Sequence, residues 1–77
     1  MDFTLEPTND GGAVLTVHDT RLKLDQAGLQ ELRDGIDAAV ARGAAGGHGP
    51  AHRFEAGGAT VTVSAVPGGS VNLRIDH

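Results

Sequence analysis

Histidine is the residue type in this sequence best suited to chemistry, since four histidines occur in a chain without cysteine. His48 and His52 have a spacing that binds one metal ion on a helix, but the intervening Gly49-Pro50 is not a helical sequence. As an alternative function we therefore predict a metal- or small-ligand-binding protein that uses His18, His52 and His77. The competing interpretation is that these histidines are solvated polar residues.

No arrangement typical of an enzyme accompanies the histidines. Ser64 and Ser70 have no histidine at a position that a strand would bring close, and no Gly-x-Ser-x-Gly motif occurs. The segment Gly43–Gly49 lacks the lysine and hydroxyl residue of a phosphate loop. Asp34 and Asp37 fall on the outer side of the predicted helix, where paired carboxylates are usually solvated. We predict no enzymatic activity and no cofactor.

Composition restricts the partners that the chain is expected to bind. A net charge of −4 and the absence of Trp and Tyr argue against nucleic acid, which is bound through cationic surfaces and stacking aromatic side chains. No apolar run approaches the length of a membrane span, and the segment Met1–Thr4 does not resemble the start of a signal peptide. We expect a cytoplasmic protein with neither a nucleic-acid nor a membrane partner.

One segment, Asp25–Arg42, has a helical pattern. Its apolar residues recur every third or fourth position, and they are Leu29, Leu32, Ile36 and Val40. Asp25 is a favourable N-cap, and Gly43 is placed to end the helix. The pattern predicts a helix over about residues 25–42 with this apolar face toward the core.

Short alternating segments on both sides of the helix predict strands that pair as hairpins. A turn at Asp19-Thr20 would place Val17 opposite Leu22. Turns at Gly57-Gly58 and Pro67–Gly69 would place Phe54 opposite Val61 and Val63 opposite Leu73.

The predicted architecture is a single α+β domain over residues 1–77 with the order β-β-β-α-β-β-β. We expect a two-layer sandwich in which one mostly antiparallel sheet of about five to six short strands carries the helix on its apolar face. The Gly-rich segment 43–52 is predicted to be a flexible loop.

Two surfaces are predicted to bind a partner. The first is the outer, polar face of the sheet, which carries the basic residues Arg21, Lys23, Arg53 and Arg74. The second is a helix strip nearly free of side chains, formed by Gly28, Gly35 and Ala39. Each glycine costs roughly 1 kcal/mol against Ala in a helix interior, so the strip implies the close approach of another backbone, as in a helix–helix contact with a second copy.

Both surfaces also have a purely structural interpretation. The polar face would be a ladder of cross-strand ion pairs, and the glycine strip would pack on the chain's own sheet. A domain of 77 residues with only two Phe has a small core, which favours self-association. We predict a small binding or regulatory module that acts through protein–protein contact and forms a homodimer, either by burying the glycine strip or by pairing edge strands across a twofold axis.

Overall fold

The computed structural model describes residues 3–77 of the chain. The elements follow one another in the order that the sequence predicts, with one helix between two groups of three strands. They are β1 (Phe3–Pro7), β2 (Ala13–Val17), β3 (Thr20–Leu24), α1 (Gln26–Ala44), β4 (Gly49–Ala56), β5 (Ala59–Val66) and β6 (Ser70–Asp76). The chain is thus a small α+β protein. Within residues 3–77, no helix is both long and apolar enough to cross a membrane.

The prediction of one sheet is wrong, because the strands form two separate three-stranded antiparallel sheets. The first sheet has the order β1-β2-β3 and the second has the order β4-β5-β6. Alternation along a strand reveals which face is buried, but it does not reveal which edges pair. Both sheets contribute their apolar faces to one hydrophobic cluster, so a single sheet and two sheets give the same pattern of burial.

The hairpin registers of the second sheet are those that the sequence predicts. Phe54 lies opposite Val61 and Val63 lies opposite Leu73. In β4, a bulge between Pro50 and His52 shifts the pairing with β5. β4 begins at Gly49, inside the Gly-rich segment 43–52 that is predicted to be a flexible loop.

The β2–β3 hairpin differs from its predicted register. Leu15 rather than Val17 lies opposite Leu22, and the turn is formed by His18 and Asp19. His18 has a φ of 53°, the left-handed conformation that primed two-residue turns require at their first central residue. Because the two registers differ by an even number of residues, the same side chains face the core in both, and alternation cannot distinguish them.

The N-terminus of α1 is capped as predicted, since the backbone N–H of Gly28 donates to Asp25 Oδ1 at 2.7 Å. Its C-terminus lies beyond the predicted one: Gly43 is helical, and the left-handed glycine that follows the helix is Gly46, with a φ of 84°. Residues 45–48 then connect α1 to β4.

The buried face of α1 is rotated from the predicted face toward its small residues. The buried residues are Gly28, Leu32, Gly35, Ala39 and Gly43. Leu29 and Ile36 are half-buried, and Val40 is 41% exposed. Small residues let the helix backbone approach the second sheet closely, which leaves the larger aliphatic side chains on one flank.

Candidate protein-binding edge

The predicted glycine strip lies inside the fold. Gly28, Gly35 and Ala39 are all buried on the face of α1 that packs on the chain's own strands. A Cβ atom built on Gly35 would lie 3.0 Å from His52 Cδ2 and 3.1 Å from Val63 Cγ2. The strip is thus covered by the second sheet and is not free to contact a second helix.

The three histidines of the alternative prediction lie in different parts of the fold. His18 is in the β2–β3 turn, His52 is in β4, and His77 follows β6. His52 Nε2 is 3.2 Å from Glu31 Oε2 on α1. Residues 3–77 contain no group of three or more His, Cys, Asp or Glu side chains that could hold a metal ion. A histidine metal site stays a prediction without a ligand geometry to support it.

The four basic residues do not form one continuous face, because they lie on two sheets. Arg21 and Lys23 belong to β3, whereas Arg53 and Arg74 flank Thr62 on the second sheet. Thr62 is only 9% exposed although its neighbours on this face are polar. Arg74 forms an ion pair with Asp76, in which Arg74 Nε lies 3.0 Å from Asp76 Oδ1.

Lys23 is held in a network at the β1–β2 turn. Its Nζ lies 3.0 Å from Asp10 Oδ2 and 3.3 Å from Thr8 Oγ1. Asp10 also accepts hydrogen bonds from the Thr8 hydroxyl and from the backbone N–H of Gly12. The hydrogen bonds from Thr8, Lys23 and Gly12 hold the pKa of Asp10 well below its ordinary value. Lys23 therefore ties the β1–β2 turn to β3.

Four strands form the sheet edges within residues 3–77: β1, β3, β4 and β6. Proteins usually protect such edges with proline, bulges, charged side chains (lysine above all), short strands or a covering loop. β4 contains Pro50 and a bulge. β1 and β3 have five residues each, with Pro7 in β1 and Lys23 in β3. Three of the four edges therefore carry a proline, a lysine or a bulge.

β6 is the edge with the fewest of these features. It has seven residues and pairs with β5 in a continuous register from Ser70 to Asp76. It contains no proline, no lysine and no bulge. Its one basic residue, Arg74, is paired with Asp76. Within residues 3–77 no strand pairs with the other side of β6, and we call that side, over residues 70–76, the β6 edge.

An open groove of about 290 Å³ runs beside the β6 edge. One wall is β6 from Asn72 to Ile75, and the other is the end of the β2–β3 hairpin, with Val17, His18 and Thr20. Leu73 is buried, whereas Val71 and Ile75 are half-buried. The groove brings together two of the residues predicted to bind a ligand or partner, His18 and Arg74. The sequence assigns His18 to a metal site and Arg74 to a protein-binding face.

A second groove, of about 450 Å³, lies at the N-terminus of α1. Its walls include Lys23, Gly28 and three acidic residues, and these acidic residues are Asp25, Glu31 and Glu55. Asp25 caps the helix, and Lys23 and Glu31 have partners outside the groove. We find no arrangement in this groove that favours a particular ligand.

The comparisons with known proteins add no family to this description. No protein-family model matches the chain, and neither do the curated proteins or the solved structures that were searched.

Proposed function

We propose that this chain is a small binding module that acts through protein–protein contact, with the β6 edge as its contact surface. The observation that carries the proposal is the contrast between the two edges of the second sheet. β4 carries Pro50 and a bulge, whereas β6 is longer than β1 and β3 and has no such feature. An edge of this kind is a template for pairing with another strand.

Strand addition would use the groove as well as the backbone. In this mode of recognition, main-chain hydrogen bonds supply affinity, and alternate side chains of the added strand occupy pockets. The added strand would cover Val71 and Ile75, which the fold leaves half-buried. Its inward side chains would lie near Val17 and Thr20 across the groove.

The small core supports the same proposal. The aliphatic residues Leu5, Val40 and Val66 are 37%, 41% and 39% exposed, so the chain leaves apolar surface uncovered. A domain of 77 residues gains stability from association with a partner or a second copy. We also propose a cytoplasmic location, which agrees with the absence of cysteine.

A pair of proline variants, Val71→Pro and Asn72→Pro, tests the use of the β6 edge. Along an edge strand, successive N–H groups point alternately to the neighbouring strand and to the free side. Proline removes the N–H group, so one variant should break a hydrogen bond to β5 while the other should only block the edge. Melting temperatures identify the edge-blocked variant as the better folded of the two, and the other variant is its control.

Wild-type and edge-blocked proteins are then used to co-purify proteins from the native host for mass spectrometry. We expect the wild type to retain proteins, its own chain included, that the edge-blocked variant loses. Equal sets of proteins retained by the wild type and by the edge-blocked variant would contradict the proposal, as would the absence of any retained protein.

A further inference from the structure

We infer that the occupant of the β6 edge is a second copy of this chain, with the two β6 strands antiparallel about a twofold axis at Leu73. This inference rests on the proposed function and specifies the partner. Pairing of the two edges would join the second sheets of both copies into one six-stranded sheet, because each sheet has three strands. A twofold contact of this type is self-complementary.

The length of β6 favours this register. With the axis at Leu73, all seven residues of one β6 lie opposite residues of the other. Val71 then lies opposite Ile75 of the second copy, and Ser70 lies opposite Asp76. An axis at Asn72 or Arg74 shortens the overlap at both ends of the contact and leaves half-buried apolar residues uncovered.

The charges of β6 favour the same register. With the axis at Leu73, Arg74 lies opposite Asn72 of the second copy, and no like charges oppose each other. With the axis at Arg74, the two Arg74 side chains would lie directly opposite each other, which is destabilising. The ion pair of Arg74 with Asp76, at 3.0 Å, can persist when the axis is at Leu73.

The faces of the joined sheet also match. Residues opposite each other in an antiparallel pair project to the same side of the sheet. The apolar Val71, Leu73 and Ile75 of both copies would therefore share the side that faces the core, and Asn72 and Arg74 would share the polar side. Val71 and Leu73 of the second copy would enter the groove whose far wall includes Val17 and Thr20.

Charge substitution at Asn72 tests the register directly. Asn72 is exposed, so a charge there should change the fold little. In the proposed dimer, Asn72→Asp creates two cross-strand ion pairs with Arg74, and Asn72→Lys creates two like-charge pairs. We expect the dimer dissociation constant to fall about two- to thirty-fold for Asn72→Asp and to rise by a similar factor for Asn72→Lys.

Net charge alone predicts the opposite signs. Each chain carries a net charge of −4, so Asn72→Asp increases the repulsion between copies and Asn72→Lys decreases it. Arg53→Gln on β4 is the matched control, because it changes one charge on the same face but two strands away from the β6 edge. It should leave the dissociation constant close to that of the wild type.

Sedimentation equilibrium over roughly 10 to 500 micromolar measures the dissociation constant, since a seven-residue edge contact is expected to be weak. Tightening by Asn72→Asp together with weakening by Asn72→Lys supports the inference. Tightening by Asn72→Lys, or weakening by both variants, would overturn the register. A wild-type monomer at every concentration would overturn self-pairing, whereas edge-dependent partners found by co-purification would still support the proposed function.

Discussion

Substitution of Gly35 by Ala tests how closely α1 packs on the second sheet. In an exposed helix this change stabilises by about 1 kcal/mol, which is the sign that the sequence alone predicts. In this fold the new Cβ would lie 3.0 Å from His52 Cδ2 and 3.1 Å from Val63 Cγ2. Val63 is fully buried, so a shift of its methyl group would press on other core side chains.

The magnitude follows from these two opposing effects. Overpacking of a filled core costs about 1–3 kcal/mol, which exceeds the gain in helix propensity over most of that range. We expect Gly35→Ala to lower the free energy of unfolding by about 1 kcal/mol. In a domain of this size that loss lowers the melting temperature by about 4–8 °C.

Two other glycines of α1 provide the controls. A Cβ on Gly28 has its nearest neighbour, Asp25 Oδ1, at 3.2 Å, and its other neighbours are at least 3.5 Å away. A Cβ on Gly43 would lie 2.4 Å from the backbone oxygen of Val66, which cannot move without the β5–β6 turn. Among the three variants, stability in urea should therefore be highest for Gly28→Ala, lower for Gly35→Ala and lowest for Gly43→Ala. Stabilisation by Gly35→Ala equal to that by Gly28→Ala would refute the close packing.

Two further predictions concern the core and the β1–β2 turn. Leu32→Ala should lower the free energy of unfolding, measured in urea, by about 2–5 kcal/mol because Leu32 is fully buried. Ile36→Ala should lower it by less, because Ile36 is only half-buried. Equal losses would contradict the observed rotation of α1. The folded state lowers the pKa of Asp10 below its ordinary value of 3.8, so its contribution to stability is present above that pH and is lost as the pH falls below it. The melting temperature should therefore fall more between neutral and acidic pH for the wild type than for Asp10→Asn. An equal fall in both proteins would refute the role of the turn network.

The hairpins of the second sheet were predictable because their turns contain residues with special backbone preferences. Gly57 and Gly58 both have positive φ, as have Gly68 and Gly69, so the turn residues determine which residues pair. The β2–β3 turn has no glycine, and His18 adopts the left-handed conformation instead. Apolar alternation then allowed two registers with the same buried face, and it could not select between them.

The buried face of α1 was mispredicted because glycine and alanine carry little weight in a hydrophobic pattern. Leu29, Ile36 and Val40 form the more apolar stripe, yet Gly35 and Ala39 form the buried one. Close approach of two backbones depends on the absence of side chains, which a periodicity argument does not measure. The two glycines that suggested a contact with another helix instead fit the chain's own second sheet.

The candidate edge was only partly predictable. The absence of proline and lysine from residues 70–76 is visible in the sequence, as is Pro50 near the start of the preceding hairpin. These features acquire a meaning only once β4 and β6 are known to be edges, which depends on the division into two sheets. The groove brings Thr20 and Asn72 together from opposite ends of the chain, and no local pattern predicts that contact.

Hydrogen–deuterium exchange of the wild type at low and high protein concentration tests the β6 edge most directly. Within residues 3–77, β6 pairs only with β5. The N–H groups that point away from β5 should therefore exchange rapidly in the dilute protein. We expect raised concentration to slow exchange in residues 70–76, while β4 and the exposed flank of α1 keep their rates. Slowed exchange in β4 or α1 with no change in β6 would contradict the proposal that this edge is the contact surface.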